Sequence, residues 1–358
     1  MQEWNHNYRF SYNKAVWLSS ESSEHISKLD LRNLITPKEV NSRIQWVLTT
    51  PKSIREAAVF ESYKNKQACF TNLKNKNIKH FSTRFLSKKK MSWTMNGIPS
   101  SSINVHDKKI CTIFPRYNLG TIRTCEVFPE QISNESSIHF DGLNYFLCIP
   151  LTKSCILEGK KNNIVGCDPG VRTFLTTYDL SQKSYKIGDE CSEHLSKLHY
   201  TLDDAISRKS DAKSKGKKNL NKYIAKIRIK IKNKISELHN KTINFLCKTN
   251  DIIVIPHFGS KEMSKMTPTR KINSKTVRNM MTLSHCAFLG KLKAKAEENG
   301  VIVAVVDERN TTKTCGNCYN MQNDIKGKSY WRCKECDWEH DRDCNAARNI
   351  LLKYYTSI

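Results

Sequence analysis

The chain has 358 residues, of which 38% are hydrophobic and 26% are charged, so it can bury the cores of two or three domains. Its 60 Lys and Arg against 34 Asp and Glu give a formal charge of +26, and this excess predicts a polyanionic partner such as nucleic acid. No apolar run approaches the ~18 residues that cross a bilayer, and the first residues lack a signal-peptide pattern, so we expect neither a membrane partner nor secretion.

The first half of the sequence, up to about residue 150, carries no catalytic signature. Apolar spacing predicts helices over residues 10–17 and 54–60, and residues 81–86 are expected to form a strand that leads into a basic turn at 88–90. One interpretation is an ordinary α+β scaffold with a solvated basic face. The other is a surface that binds nucleic acid and offers aromatic side chains for stacking, and the composition favours it.

From about residue 160 the pattern is easier to interpret. Three short apolar segments predict a meander of β-strands: residues 163–170, 174–178 and 184–187. An amphipathic helix around 195–206 comes next. Four further segments predict, in chain order, a helix, a strand, a helix and a strand: residues 221–247, 251–255, 286–299 and 301–306. With a final helix after residue 340, this is the element order of an RNase H-like α/β fold.

The two predicted helices that follow the meander form a strongly basic hairpin over about 192–247. Residues 207–234 contain twelve Lys and Arg but one acid, Asp211. A charge run is usually a solvated face, and it can also act as a nuclear-import signal, which would give a nuclear location in a eukaryotic host. At this density we favour contact with phosphates. The residues assigned to that contact are Lys213, Lys215, Lys217, Lys218, Lys222, Lys226, Arg228 and Lys230.

Two CxxC knuckles near the C-terminus are the most informative motif. Their cysteines are Cys315, Cys318, Cys333 and Cys336. Knuckles at this separation can place four thiolates around one tetrahedral Zn²⁺, and the spacing is that of a zinc ribbon. The other ten cysteines are scattered, as in reduced intracellular proteins. Acids at the start of the next helix suggest a ribbon inserted beside a catalytic site, and the alternative is a free-standing ribbon that binds a partner.

Carboxylates far apart in the chain are candidates for a catalytic metal site. Asp168 ends the first strand of the meander, where Pro169 and Gly170 turn the chain away, although an acid in a turn can also be unremarkable. Asp343 begins the final helix, and Asp341 beside it is either the N-cap or an alternative ligand. Phosphodiester hydrolysis by an RNase H-like fold needs acids that converge on one or two Mg²⁺ ions, for which oxygen ligands are suited.

The third acid is not at the expected position. The strand over 251–255 is followed by Pro256, which offers no ligand atom. The next strand is followed by Asp307 and Glu308. If the two strands are neighbours in the sheet, a glutamate after the strand over 301–306 can reach a metal ion whose ligand usually follows the strand over 251–255. Glu308 is therefore the candidate, with Glu262 and Asp307 as the fallbacks.

Several segments together resemble the TnpB/OrfB family of transposon-associated proteins, in particular its eukaryotic and giant-virus relatives, the Fanzor proteins: residues 165–170, 308–315, the two knuckles and 342–349. The resemblance implies a RuvC-type nuclease domain interrupted by a zinc ribbon and related to type V CRISPR effectors. It also implies a transposon-encoded guide RNA and cleavage of matching double-stranded DNA beside a short motif. Many Fanzor proteins carry their glutamate just ahead of the ribbon, and Pro256 with Glu308 is similar to that arrangement.

The resemblance is specific over about 160–355 and weaker before it. Residues 12–16 and 51–58 look like recognition-lobe segments of the family. Because the family normally has strands ahead of the first of these, we expect part of a wedge-like β-domain to be missing. The glycine that usually follows the second cysteine of each knuckle is Tyr319 and Asp337 here, which loses a residue suited to a left-handed turn.

These observations predict a recognition or wedge-like region over residues 1–158, a RuvC-like nuclease domain over 159–310 and 341–358, and a zinc ribbon over 311–340. The predicted function is RNA-guided, Mg²⁺-dependent cleavage of DNA, with Zn²⁺, Mg²⁺ and a guide RNA as cofactors. Two alternatives stay open: a transposon-derived DNA- and RNA-binding protein that does not cut, and a guide-independent nuclease such as a junction resolvase.

Overall fold

The computed structural model describes residues 1–22, 25–38, 44–154, 162–259, 263–264, 272–322 and 329–356. The chain divides into two compact units, residues 1–152 and 153–358, and both contain helices and strands. The protein is therefore a mixed α/β protein. Within the ranges above, no helix is both long and apolar enough to cross a membrane.

The first unit begins with helices and continues with strands. The helices are α1 (Gln2–Glu21), α2 (Lys28–Ile35) and α3 (Lys52–Lys74). The strands are β1 (Trp93–Ile98), β2 (Ile103–Asp107), β3 (Ile110–Ile113), β4 (Ile122–Arg123), β5 (Ser136–Phe140) and β6 (Tyr145–Cys148). They form two antiparallel sheets, ordered β1-β5-β6 and β2-β3-β4. Apolar residues four apart on α1, including Trp4, Tyr8 and Tyr12, join the core of this unit.

The two helices predicted for the first half are confirmed, because they lie within α1 and α3. The strand predicted over residues 81–86 is wrong, since this segment has no regular structure. The backbone of Leu86 is paired with a side chain instead of a strand. Its N–H donates to Asn13 Oδ1 at 2.7 Å, and its C=O accepts from Asn13 Nδ2 at 3.2 Å. The six strands that this unit does contain were not predicted.

The second unit is built on a five-stranded sheet. Its strands are β7 (Ile164–Pro169), β8 (Leu175–Asp179), β9 (Ser184–Ile187), β10 (Ile252–Pro256) and β11 (Ile302–Val306), in the spatial order β11-β10-β7-β8-β9. β8 is antiparallel to both β7 and β9, which confirms the predicted meander. β10 is parallel to both β7 and β11, so the two late strands are neighbours.

This unit also contains helices. They are α4 (Cys191–Asp211), α5 (Ser214–Thr249), α6 (Ser274–Leu283), α7 (His285–Glu298) and α8 (Arg342–Thr356), and a hairpin of β12 (Tyr330–Arg332) and β13 (Glu339–Asp341) precedes α8. α4 and α5 are the predicted helical hairpin. Ile224, Ile227 and Ile231 of α5 are buried in the core, and each such side chain contributes about 1.5–3 kcal/mol relative to exposure.

Helix α8 lies unusually close to the central strand β7. A Cβ atom on Gly166 of β7 would lie 2.3 Å from the carbonyl oxygen of Ala347 and 2.8 Å from Cβ of Leu351. No real side chain fits at these distances, so the strand carries glycine where the helix crosses it. This contact sets the start of α8 beside the end of β7.

Candidate active site and metal centre

An open cavity of about 490 Å³ in the second unit brings the candidate acids together. Asp168, Glu308 and Asp343 all line it. They come from the end of β7, from the segment two residues beyond β11, and from the first turn of α8. The fallback Asp307 is exposed and does not line the cavity, and the fallback Glu262 lies outside the described residues.

The position of Glu308 follows from strand pairing. Pro256 at the end of β10 is directly opposite Val306 at the end of the parallel neighbour β11. The segment after β11 therefore emerges at the same sheet edge at which β10 ends. The condition set by the sequence, that the two strands be neighbours, is confirmed.

The cavity concentrates negative charge. Burial, followed by the charges of Asp343 and Glu308, raises the pKa of Asp168 to about 8, with Arg342 acting in the opposite direction. Burial and the neighbouring Asp307 also raise the pKa of Glu308. Carboxyl groups that resist ionisation because they are buried beside other negative charges are those that a divalent cation would stabilise.

Asp343 is held by its neighbour in the sequence. Arg342 donates from Nε to Asp343 Oδ1 at 2.9 Å, and its Nη2 lies 2.8 Å from the same oxygen. In the described parts of the chain, the three carboxylates do not form a set compact enough to bind one ion, whereas the four cysteines do. The guanidinium group of Arg342 is the partner of Asp343 in this arrangement. Nothing in the sequence had indicated this partner for Asp343.

Asp341 serves as the N-cap of α8. Its Oδ1 accepts from the backbone N–H groups of Asp343 and Cys344, each at 3.0 Å. Its Oδ2 accepts from Lys186 Nζ at 2.8 Å. Burial tends to raise the pKa of Asp341, but the bonds from Lys186 and Cys344 bring it below its usual value. Of the two roles left open by the sequence, the structure supports the cap, because this carboxylate is outside the cavity lining.

The turn after Asp168 is bonded to a buried histidine, His285, that the sequence analysis did not predict. His285, at the start of α7, donates from Nε2 to the carbonyl oxygen of Gly170 at 2.8 Å, and its ring stacks on Phe174 at 4.8 Å. Burial lowers the pKa of His285 to about 4, so the ring stays neutral at physiological pH. Because 115 residues separate the bonded pair, sequence spacing carries no signal for it.

The four cysteines of the knuckles form a compact cluster that could hold a metal ion such as zinc. Cys315 Sγ lies 3.7 Å from Cys336 Sγ, and Cys318 Sγ lies 3.6 Å from Cys333 Sγ. All four sulfur atoms lie within 4.8 Å of one another. Four sulfurs at the usual Zn–S distance of ~2.3 Å from one ion are ~3.8 Å apart, so the cluster fits a tetrahedral ion.

Each knuckle is a tight turn closed by its backbone. The N–H of Tyr319 donates to the C=O of Cys315 at 2.9 Å, and that of Asp337 donates to Cys333 at 3.0 Å. Tyr319 and Asp337 have φ angles of 60° and 55°. The two positions where the resemblance leads one to expect glycine therefore do adopt the left-handed conformation that glycine favours. The backbone N–H of Trp338, followed by Asn317 and the neighbouring thiols, lowers the pKa of Cys336 to about 6, with burial acting in the opposite direction.

The eight basic residues assigned to phosphate contact are all exposed: Lys213, Lys215, Lys217, Lys218, Lys222, Lys226, Arg228 and Lys230. Lys213 is the N-cap of α5 and the others lie on it. Ile224, Ile227 and Ile231 of the same helix point into the core. The helix therefore separates a buried apolar face from an exposed basic one.

Residues 285–350, which include α7, β11 and the cysteine cluster, match the family described as Cas12f1-like, TNB domain. The chain is 28% identical to the putative transposase A625R of Paramecium bursaria Chlorella virus 1, over 98% of this chain and 82% of that protein. It is 29% identical to the TnpB-like protein L770 of Acanthamoeba polyphaga mimivirus, over 83% of this chain but 56% of that longer protein.

The fold has a counterpart among solved structures. In a Cas12f1-sgRNA-target DNA complex determined by cryo-EM, the matching chain has a TM-score of 0.56 at 14% identity, over 97% of this chain and 81% of its own length. At this identity the likeness concerns the fold alone. The family match and the viral relatives agree with each other: the chain is similar over most of its length to putative transposases and TnpB-like proteins of large DNA viruses.

Proposed function

We propose that this chain is an RNA-guided DNA endonuclease encoded by a transposon, which hydrolyses phosphodiester bonds with Mg²⁺. The observation that carries the proposal is that Asp168, Glu308 and Asp343, from three distant segments, line one cavity. In this proposal residues 159–310 and 341–358 form a RuvC-like, RNase H-like nuclease domain, residues 311–340 a zinc ribbon, and residues 1–158 a recognition region.

Asp168, Glu308 and Asp343 would hold the divalent cation, and the raised pKa of Asp168, caused by burial and by the charges of Asp343 and Glu308, supports this assignment. When bound, Mg²⁺ supplies activation of the attacking water and stabilisation of the leaving oxygen. Arg172 and Arg309 also line the cavity and would attract the scissile phosphate. The turn bearing Asp168 would be kept in place by His285.

The zinc ribbon and the basic hairpin have separate roles in this proposal. Cys315, Cys318, Cys333 and Cys336 would hold a structural Zn²⁺. The exposed basic face of α5, Lys213 to Lys230, would contact the backbone of a guide RNA–target DNA duplex. Sequence would then be read by base pairing, as in other RNA-guided effectors, and the protein would recognise charge and shape.

The test is cleavage of a DNA that matches the RNA co-purifying with the protein. Asp168→Ala should abolish cutting while RNA and DNA binding stay unchanged. Asp204→Asn, at an exposed helical acid paired with Arg208, is the matched control and should cut normally. Cutting by Asp168→Ala at the wild-type rate would contradict the assignment of the cavity.

The bond between Arg342 and Asp343 gives some support to a second candidate, a nucleic-acid-binding protein that does not cut. An Asp343 that stayed paired with Arg342 would not bind a cation. The same assay separates the two, because a non-cutting protein binds the guide RNA and target without releasing products. Cutting of branched DNA after removal of all RNA would instead favour a guide-independent nuclease.

A further inference from the structure

One face of α8 carries three polar side chains spaced four residues apart: Asn345, Asn349 and Lys353. Residues at this spacing lie one above another along a helix. Asn345 is 1% exposed and Asn349 is 6% exposed, so neither amide is available to bulk solvent. All three side chains bond to the backbone of residues 307–316, the segment that joins β11 to the first knuckle.

The amide of Asn345 both donates and accepts, and the amide of Asn349 donates twice. Asn345 donates from Nδ2 to Thr314 O at 2.8 Å and accepts at Oδ1 from Gly316 N, also at 2.8 Å. Asn349 donates from Nδ2 to Thr311 O at 2.8 Å and to Thr314 O at 2.7 Å. These bonds hold three backbone positions ahead of and within the first knuckle, at Thr311, Thr314 and Gly316.

Lys353 continues the same row toward β11. Its Nζ lies 3.1 Å from Asp307 O and 2.5 Å from Arg309 O. Four carbonyl groups of the segment therefore bond to side chains of one helix, those of Asp307, Arg309, Thr311 and Thr314. Such groups need donors when they are removed from water, and α8 supplies them.

A local turn within the same segment includes Glu308, the candidate ligand. Thr311 donates from both its backbone N and its Oγ1 to Glu308 O, at 3.2 and 2.9 Å. Thr311 is 3% exposed, and its own carbonyl is the one that Asn349 holds. A continuous set of bonds therefore joins Glu308 to Thr311, Thr311 to Asn349, and Asn349 through one helix to Asp343.

We propose that Asn349 is a positioning residue that fixes Glu308 relative to Asp343, with Asn345 and Lys353 extending the same row. The inference rests on the proposed function, because it assigns Glu308 and Asp343 to one cation site. Its added content is that the separation of these two carboxylates is set by an amide that touches neither of them. The two amide hydrogens of Asn349 let this short side chain satisfy two carbonyl groups at once.

The test is binding of Mn²⁺, a paramagnetic substitute for Mg²⁺, to the full chain, measured by electron paramagnetic resonance. Asn349→Leu keeps a similar volume but loses both donors. Changes to groups that orient a metal ligand typically weaken metal affinity about 10-fold, so we expect a loss of that size. In a Glu308→Gln background the same substitution should change Mn²⁺ affinity less than about 2-fold, because the ligand it positions is already absent.

The matched control is Asn279→Leu. Asn279 is 4% exposed, and its Nδ2 donates to Ser192 O and Ser196 Oγ, both at 3.1 Å, away from the cavity. It should lower the melting temperature as much as Asn349→Leu does while leaving Mn²⁺ affinity unchanged. Zinc content should stay at the wild-type value in both variants. If Asn349→Leu does not fold, Asn349→Ala removes the same donors with less steric demand.

The outcomes separate the inference from the proposed function. If Glu308→Gln weakens Mn²⁺ binding but Asn349→Leu does not, the positioning role is overturned and the cation site stands. The positioning role is also overturned if Asn349→Leu weakens Mn²⁺ binding equally with and without Glu308. The same holds if Asn279→Leu weakens Mn²⁺ binding as much as Asn349→Leu does. If Glu308→Gln leaves Mn²⁺ affinity at the wild-type value, Glu308 is no ligand, and both ideas are overturned.

Discussion

The cysteine cluster and the acidic cavity are both candidate metal sites in one unit, but they are assembled differently. The four sulfur atoms come from two short turns that the backbone closes, and they lie within 4.8 Å of one another. The three carboxylates come from β7, the segment after β11 and α8, and one of them bonds to Arg342. Ligands on local turns can lie close together before an ion binds. Carboxylates that come from distant segments repel one another until a cation neutralises their charge.

Loss of one thiol should produce the largest effect, because the cluster depends on all four. Cys333→Ser removes a buried ligand, and structural zinc sites carry binding free energies of roughly 10 kcal/mol or more. We expect loss of zinc and fast hydrogen exchange in β12 and β13, measured by mass spectrometry. Cys286→Ser, at an exposed cysteine outside the cluster, should retain both zinc and protection. A zinc-replete Cys333→Ser protein would show that three thiols suffice.

Substitution in the acidic cavity should remove activity and leave the fold intact. Glu308→Gln should lower the rate of DNA cleavage at least ~100-fold, a loss typical of removing one stabilising group from a charged transition state. The adjacent Asp307→Asn is the control, since Asp307 is exposed and outside the cavity lining. If the two variants cut equally well, the glutamate after β11 has no catalytic role.

The repulsion inside the cavity should also appear as a pH-dependent stability. The pKa of Asp168 is raised from 3.8 to about 8, so the folded protein holds a proton that the unfolded chain releases above about pH 4. Stability that depends on this proton is lost as the pH rises toward 8. Asp168→Asn removes that loss, so its melting temperature should exceed that of the wild type by a margin growing to ~2–4 °C at pH 8 without added Mg²⁺.

The measurement is a series of thermal melts between pH 5 and pH 9, with and without Mg²⁺. Added Mg²⁺ should shrink the difference, because it stabilises the ionised wild-type carboxylate alone. A difference that stays constant across this pH range would mean that Asp168 titrates normally in the folded protein.

The smallest effect is expected at the knuckles. Tyr319 has a φ of 60°, a conformation that costs a residue with a Cβ about 1 kcal/mol. Tyr319→Gly should therefore raise the free energy of unfolding of the zinc-loaded protein by up to ~1 kcal/mol, measured by urea denaturation. Lys334→Gly, in the second knuckle at a position without a positive φ, is the control and should lower stability. Destabilisation by Tyr319→Gly would mean that the tyrosine side chain contributes more than its backbone costs.

The sequence predicted the second unit better than the first for a physical reason. β7, β10 and β11 are continuous apolar runs, and α5 has isoleucines at helical spacing, so each of these elements carries its own period. The strands between 93 and 148 are short and partly exposed, and their pattern carries little information. The false strand at 81–86 has strand-like residues, but its backbone pairs with Asn13.

The candidate site divides in the same way. The cysteines are recognisable from spacing, and Asp168 and Glu308 from the strands that precede them. Arg342 and His285 were not predicted, because their roles depend on which atoms meet across the fold. The sequence left Asp341 as either an N-cap or a ligand, and the hydrogen bonds that its carboxylate accepts from two backbone N–H groups identify it as the cap.

Gly166 allows the two elements that carry the aspartates of the acidic cavity, β7 and α8, to pack closely. Helix α8, with Asp343 in its first turn, lies against strand β7, with Asp168 near its end, at a glycine that has no Cβ atom. An alanine there would wedge the helix outward and widen the gap that a shared ion has to bridge. The distance between Asp168 and Asp343 therefore depends on Gly166, a residue that takes no part in the chemistry of the cavity.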